Sequence, residues 1–572
     1  MDTCSQHVQP PRHNATSDNV NQWRGPNDPP ATRLEAHFND RLIRCFVQRP
    51  PSVNQMLADA ARQHPATEAL VSAQTRLTYA ELDEQVACVA GGLQRAGLRQ
   101  GERLVLFCGN RAEFVITFFA CQRLGVIAVP VSTREQADGL HYVLQQCAAS
   151  AVLIEPELRD RLNTGNDSNR FAGLVIDLPA LDSNPPQAVN ASRADASAPA
   201  RHLCWQALTA AAPLSQAATT KEEDTAVLLY TSGTTGKPKG AMLSHLGIAH
   251  SVEHFRVGMG LPSGVRCALA VPASHVTGLV AIIATAVHCA GTIVVMASFK
   301  ANAFLQLCAR ERINYTLMVP AMYKLCLLDP DFEAVDLRHW QIGGFGGAPM
   351  PESTIDELAR LLPALALMNA YGATETTSPA TMMPTHLTRD HLDSVGLAVP
   401  CGQLLVVDDD GCEVAPGETG ELWIGGPMIV RGYWDNPQAS AAEFTGGFWH
   451  SGDLGSIDAD GFVRIFDRKK DMINRGGYKI FSVEVENFLV SIAGVMEAAA
   501  VGKPCPVLGE RVHAFVCVSD PAVAADTLQA LCRQHLADYK VPESIRIGTE
   551  PLPRNANGKV LKRLLRERLL AD

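Results

Sequence analysis

The chain has 572 residues, of which 47% are hydrophobic and 19% charged. It is too long for one compact core and has the composition of a folded protein of roughly two to four domains. A formal net charge of −11 argues against nucleic acid or an anionic membrane as the main partner. A second copy of the chain, as a homodimer, is the macromolecular partner left open. Sixteen cysteines are scattered singly, with no Cys-x-x-Cys pair and no histidines clustered at metal-ligand spacing, which reads as reduced thiols in a cytoplasmic protein. Neither a signal peptide at Met1 nor a peroxisomal address at Asp572 is visible.

In chain order, residues 1–50 are rich in proline, asparagine and charge and predict a disordered or loosely attached arm. From Thr78 a capping box with Glu81 opens a helix whose Leu82, Val86, Val89 and Leu93 share one face, closed by Gly97. Arg103 to Cys108 reads as a strand, Ala112 to Leu124 as a helix and Val126 to Val131 as a strand. Such a strand–helix–strand unit implies parallel sheet covered on both faces. Leu181 to Asp224 reads as surface loop and irregular helix. Strand-like runs recur at Cys267 to Val271, Thr292 to Val295, Tyr315 to Val319 and Ala364 to Met368. Gly278 to Ala297 is almost wholly apolar, but Gly291 divides it into a helical half and a β-branched half, each too short to cross a bilayer. After about Val395, short strands with turns at Asp410-Gly411 and Asp460-Gly461 predict a small barrel. The charged cluster Asp467 to Asp471 marks a change of architecture and reads as a hinge before a smaller α+β domain. The expected division is therefore an arm at 1–50, a large domain of doubly wound α/β sheets at 51–466 with its β-rich part at 395–466, a hinge at 467–470 and a mobile lid at 471–572.

The most specific segment follows the apolar run Ala226 to Leu229. Tyr230 to Gly240 reads Tyr-Thr-Ser-Gly-Thr-Thr-Gly-Lys-Pro-Lys-Gly. Glycines let backbone N–H groups approach an anion, while Thr231, Ser232, Thr234, Thr235, Lys237 and Lys239 supply donors and charge, as a phosphate loop requires. The spacing excludes a nucleotide-triphosphatase loop, because Lys237 is followed by Pro238 where a hydroxyl residue should stand.

This run resembles the signature of the adenylate-forming superfamily: acyl- and aryl-CoA synthetases, luciferases and peptide-synthetase adenylation domains. The resemblance covers about Pro51 to Arg568. It implies that Thr231, Ser232, Gly233, Thr234, Thr235, Gly236, Lys237 and Lys239 hold ATP phosphates. Tyr371-Gly372-Ala373-Thr374-Glu375 is similar to the family's Tyr-Gly-x-Thr-Glu, which implies Glu375, with Thr234, on Mg²⁺, Thr374 near the α-phosphate and Tyr371 near adenine. Gly346, Gly347 and Ala348 resemble the segment lining the adenine and acyl pockets. Asp453 in Ser451-Gly452-Asp453, and Arg468, match residues that reach the ribose, and Lys470 matches the hinge. Gly476, Gly477 and Lys479 match the loop that swings in for thiol chemistry, and Lys559 in Pro553 to Lys559 matches the catalytic lysine. His275 matches a gate between acyl pocket and thiol tunnel. Ala273, Ser274 and Asn474 depart from residues seen in some relatives.

The resemblance implies a carboxylic acid–CoA ligase that uses ATP, Mg²⁺ and coenzyme A and passes through an acyl-adenylate. Two alternatives stay open: an enzyme adenylating amino acids or serving an acyl carrier, and a non-catalytic nucleotide-binding paralogue. The acid itself, whether fatty, aromatic or short, is not legible in the sequence.

Overall fold

The computed structural model describes residues 30–163, 171–180, 201–231, 237–520, 523–554 and 560–571. The capping box at Thr78 and Glu81 forms and opens helix Tyr79–Arg95, whose Leu82, Val86, Val89 and Leu93 are fully buried. Strand Arg103–Phe107, helix Ala112–Leu124 and strand Ile127–Pro130 follow, and the two strands pair in parallel as the strand–helix–strand pattern demands. The helix between them is buried on every face because it packs inside the body, which explains its lack of a polar stripe.

These strands lie in a seven-stranded sheet that is parallel except at one edge, where Thr225–Thr231 and Lys239–Ser244 form an antiparallel hairpin with Thr231 opposite Lys239. A nine-stranded sheet contains the four runs read from the sequence, now bounded as Arg266–Leu269, Thr292–Val295, Tyr315–Met318 and Ala366–Tyr371, joined by Ile342–Phe345. These five strands run parallel, so Val319, Gly346 and Gly372 leave their carboxyl ends at the same margin of the sheet. In open α/β sheets that margin is where ligands bind. One continuous apolar core joins both sheets, with Phe118, Phe119, Tyr315 and Trp340 essentially inaccessible to water.

The apolar stretch divides at Gly291 as expected. Wide π-type turns over Thr277–Ala284 run into helix Thr285–His288, and a strand begins at Thr292. A Cβ on Gly291 would lie 2.3 Å from the Val265 carbonyl oxygen, so only glycine allows this turn. Among the described residues no helix is long and apolar enough to cross a membrane.

One expectation is corrected. The arm expected at 1–50 contains an ordered antiparallel hairpin, Thr32–His37 with Arg41–Phe46. Cys45 and Phe46 are buried against helix His245–Gly258, where the Phe46 N–H donates to His250 Nε2 (3.1 Å), and Arg49 pins the base to Glu35 and Glu222. The β-rich section contains a five-stranded antiparallel sheet, in which Phe448–Ile457 pairs with Gly420–Gly425, Phe444–Thr445 and Val463–Arg468. Register shifts at both long pairings bend this strand, and Val463 also bridges to Gly396.

After the 467–471 cluster a second five-stranded sheet carries helices Ser482–Ser491, Ala525–His535 and Lys562–Ala571. It has its own core, including Ile473, Val485, Leu489, Val516 and Leu528.

Candidate active site

The strand register of the β-rich section's sheet sets Asp453 directly opposite Arg468. Arg468 Nε lies 2.6 Å from Asp453 Oδ1, and its Nη1 donates to the Ser451 carbonyl (3.2 Å). Tyr371, at the end of a nine-stranded-sheet strand, donates its hydroxyl to Asp453 Oδ2 at 2.5 Å. Burial and the adjacent Asp453 charge hold the Tyr371 phenol protonated, its pKa well above the ordinary value. Burial pulls the Arg468 pKa down, but Asp453, then Tyr371 and Glu375, more than offset it, so the guanidinium stays charged. A carboxylate has about four lone pairs, so Asp453 can still accept from two vicinal hydroxyls after serving both partners. The wall beside it needs glycine: a Cβ on Gly346 would sit 2.3 Å from the Ala370 carbonyl oxygen, and Gly347 has φ +78°. Gly347 and Ala348 are exposed at this margin.

Four residues after Tyr371, Glu375 is buried, and its Oε1 accepts from Thr231 Oγ1 and the Tyr433 hydroxyl, both at 3.1 Å. Burial raises its pKa; hydrogen bonds from its own backbone, Tyr433 and Thr231 only partly counter this. The short segment Tyr371–Glu375 therefore touches the Asp453–Arg468 pair at one end and the phosphate-loop strand at the other. A buried carboxylate beside loop hydroxyls is a donor set that suits Mg²⁺, which takes one or two protein carboxylates together with nucleotide oxygens.

The two loop lysines part company. Lys237 is exposed, with its ammonium 5.7 Å from the Tyr142 ring centroid. Lys239 is buried, ion-paired with Glu443 and 4.5 Å from the Tyr433 ring centroid. Ser232, Gly233, Thr234, Thr235, Gly236 and Lys559 lie outside the described residues. Gly372 and Thr374 fall between the two ends of the central segment.

His275 is reached by solvent, and the protein packed round it lowers its pKa. Its Nδ1 accepts the Thr277 N–H (3.3 Å), which leaves the proton of a neutral ring on Nε2. The Lys470 carbonyl accepts from Arg566 (3.1 Å), which also pairs with Asp471 (2.9 Å). Gly476 and Gly477 turn with φ +61° and +92° in an exposed loop, and Lys479 lies 3.9 Å from Asp409.

Sequence reading missed Tyr433, Glu443, Arg566 and Asn110. Asn110 is buried and donates to the carbonyls of Leu269, Val271 and Met296 while accepting the Ala273 N–H (2.8 Å), which fixes the segment leading to His275. No local motif marks any of the four; apart from the Tyr433–Glu443 contact ten residues apart, their partners come from distant parts of the chain. The fold also gathers Glu35, His37 and Cys45 within reach of one another. The Glu35 carboxylate there is already taken by Arg49 and Arg33.

Known proteins resemble this chain along most of its length. The chain matches the AMP-binding enzyme family over residues 57–434 and the AMP-binding enzyme C-terminal domain over 484–559. It is 32% identical over 510 residues to a feruloyl-CoA synthase of Amycolatopsis sp, covering 89% of this chain and 97% of the relative. It is 30% identical over 535 residues to a long-chain-fatty-acid–CoA ligase of Salmonella typhimurium, covering 91% and 95%. The fold superposes with a TM-score of 0.77 and 26% identity on o-succinylbenzoate coenzyme A synthetase from Bacillus subtilis in complex with ATP and magnesium ion, covering 91% and 99%. The chain therefore belongs to the AMP-binding enzyme family, with the main and C-terminal domains both present, in its acyl-CoA synthetase group of acid–thiol ligases.

Proposed function

We propose that the protein joins a carboxylic acid to coenzyme A in two steps at this site. The carboxylate attacks the ATP α-phosphate, giving acyl-adenylate and pyrophosphate; the CoA sulfur then attacks the acyl carbon, and AMP and a proton leave. The observation that carries the reading is the bridge made by Tyr371–Glu375 between the Asp453–Arg468 pair and Thr231. On this reading Asp453 and Arg468 hold the ribose, Tyr371 orients Asp453 beside the adenine, and the residues 231–237 bind phosphate. Glu375, with Thr234, would hold Mg²⁺, which when bound supplies charge neutralisation across the phosphates. Lys559 stabilises charge between the two anions that must meet.

The C-terminal domain acts as a lid that turns about Lys470, first presenting Lys559 and then the Gly476-Gly477 loop with Lys479, while neutral His275 gates the thiol path. The named substrates of the two relatives span an aromatic and a long-chain acid, so the substrate is assigned as a carboxylate without a narrower class. A cytoplasmic setting is supported by free cysteines throughout the described residues. The test is Lys559→Ala. Acid-dependent ATP–pyrophosphate exchange is lost while thiolysis of supplied acyl-adenylate persists, whereas equal loss of both half-reactions overturns the division of labour.

A further inference from the structure

Lys239 belongs by sequence to the phosphate loop, yet its ammonium faces into the protein. It is 6% exposed, ion-paired with Glu443 and stacked over the Tyr433 ring, whose centroid is 4.5 Å away. Tyr433 is itself 3% exposed and places one hydroxyl between two carboxylates, 2.5 Å from Glu443 Oε2 and 3.1 Å from Glu375 Oε1. A phenol has one proton to share between them. Without a cation beside Glu443, two negative charges, one buried on Glu375 and one half-buried on Glu443, would compete for that hydroxyl and repel each other across it. Lys239 supplies the cation, and the charged groups packed round Tyr433 are thus Glu375, Glu443 and Lys239.

We propose that Tyr433 is the positioning residue for Glu375, anchored from behind by the Lys239–Glu443 ion pair, and that Lys239 serves this brace instead of contacting phosphate. Thr231 Oγ1 reaches the same Glu375 oxygen, so hydroxyls from two elements fix one face of the carboxylate. The inference rests on the reading of Glu375 as the Mg²⁺ carboxylate. Partners that orient a metal-binding side chain typically alter metal affinity or activity by about 10- to 100-fold when removed.

The test is the Mg²⁺ dependence of wild type, Tyr433→Phe, Glu443→Gln and Glu375→Gln. It is read as acid-dependent pyrophosphate release and, without turnover, as calorimetric binding of a non-hydrolysable ATP analogue with and without Mg²⁺. Tyr433→Phe keeps the ring under Lys239 and deletes only the hydroxyl. It is expected to raise the half-saturating Mg²⁺ by about 10- to 100-fold and to shrink the affinity gain that Mg²⁺ gives the analogue. Glu443→Gln is expected to act in the same direction, and carries the test if the phenylalanine variant fails to fold. Lys239→Met should also shift the Mg²⁺ dependence, whereas a loss of analogue affinity that is the same at every Mg²⁺ concentration would mark Lys239 as a direct phosphate ligand and overturn the proposal. If Glu375→Gln moves the Mg²⁺ dependence and neither Tyr433→Phe nor Glu443→Gln does, the brace is wrong and the metal reading stands. If Glu375→Gln leaves it unmoved, the metal reading itself fails.

Discussion

Replacing Asp453 with asparagine isolates the proposed ribose contact. The side chain is 5% exposed, so water screens its interactions little, and asparagine preserves its shape. A hydrogen bond to a charged group contributes about 1.5–3 kcal/mol and a neutral one about 0.5–1.5. Removing the charge therefore weakens each of two ribose bonds by about 1–1.5 kcal/mol. Together these make ATP binding about 30- to 150-fold weaker, at a factor of ten per 1.4 kcal/mol. Arg468 loses its counterion, but its side chain is 37% exposed and solvent absorbs part of that loss. Calorimetric titration with ATP and with 2′,3′-dideoxy-ATP separates the two effects. Wild type should prefer ATP, and Asp453→Asn should lose most of that preference while binding the dideoxy nucleotide nearly as wild type does. An equal loss for both nucleotides would mean that Asp453 supports the fold and not the ribose.

Gly346→Ala should abolish nucleotide binding or folding, because the new methyl meets the Ala370 backbone oxygen at 2.3 Å and backbone cannot yield cheaply; a wild-type titration curve refutes this. Arg566→Ala should release the Lys470 carbonyl and Asp471, loosening the hinge by about 1 kcal/mol and raising its limited-proteolysis rate about fivefold. Burial lowers the pKa of His245 and His254 to about 4 and of His250 to about 3, so these histidines are neutral in the folded protein. Their contribution to stability is full above the unfolded value near 6.5 and is lost as pH falls toward 4, with a slope of up to about 4 kcal/mol per pH unit for three groups. Thermal unfolding across pH 7 to 5 should show this loss, flattened by about one-third in His254→Gln, and a flat profile contradicts it.

Elements set by local chemistry were legible. The helix after Thr78 carries its own capping box, and the break at Gly291 follows from a residue that alone fits beside Val265. The N-terminal hairpin was not, because Phe46 is held by His250 and Arg49 by Glu222, partners far along the chain. Within the site, Tyr371, Glu375, Asp453 and Arg468 stood in recognisable motifs and the fold brings them together. Lys239 carried the right residue type, but only the structure reveals that its ammonium points at Glu443. Tyr433 and Glu443 look like an ordinary aromatic and an ordinary surface acid until their hydrogen bonds are seen.

The central claim is tested most directly by product stoichiometry. With ATP, Mg²⁺, CoA and a panel of carboxylic acids, the account predicts that at least one acid drives formation of AMP, pyrophosphate and acyl-CoA in equal amounts, and that omitting CoA leaves a single turnover of pyrophosphate release. Production of ADP, or nucleotide turnover independent of both acid and CoA, would contradict it.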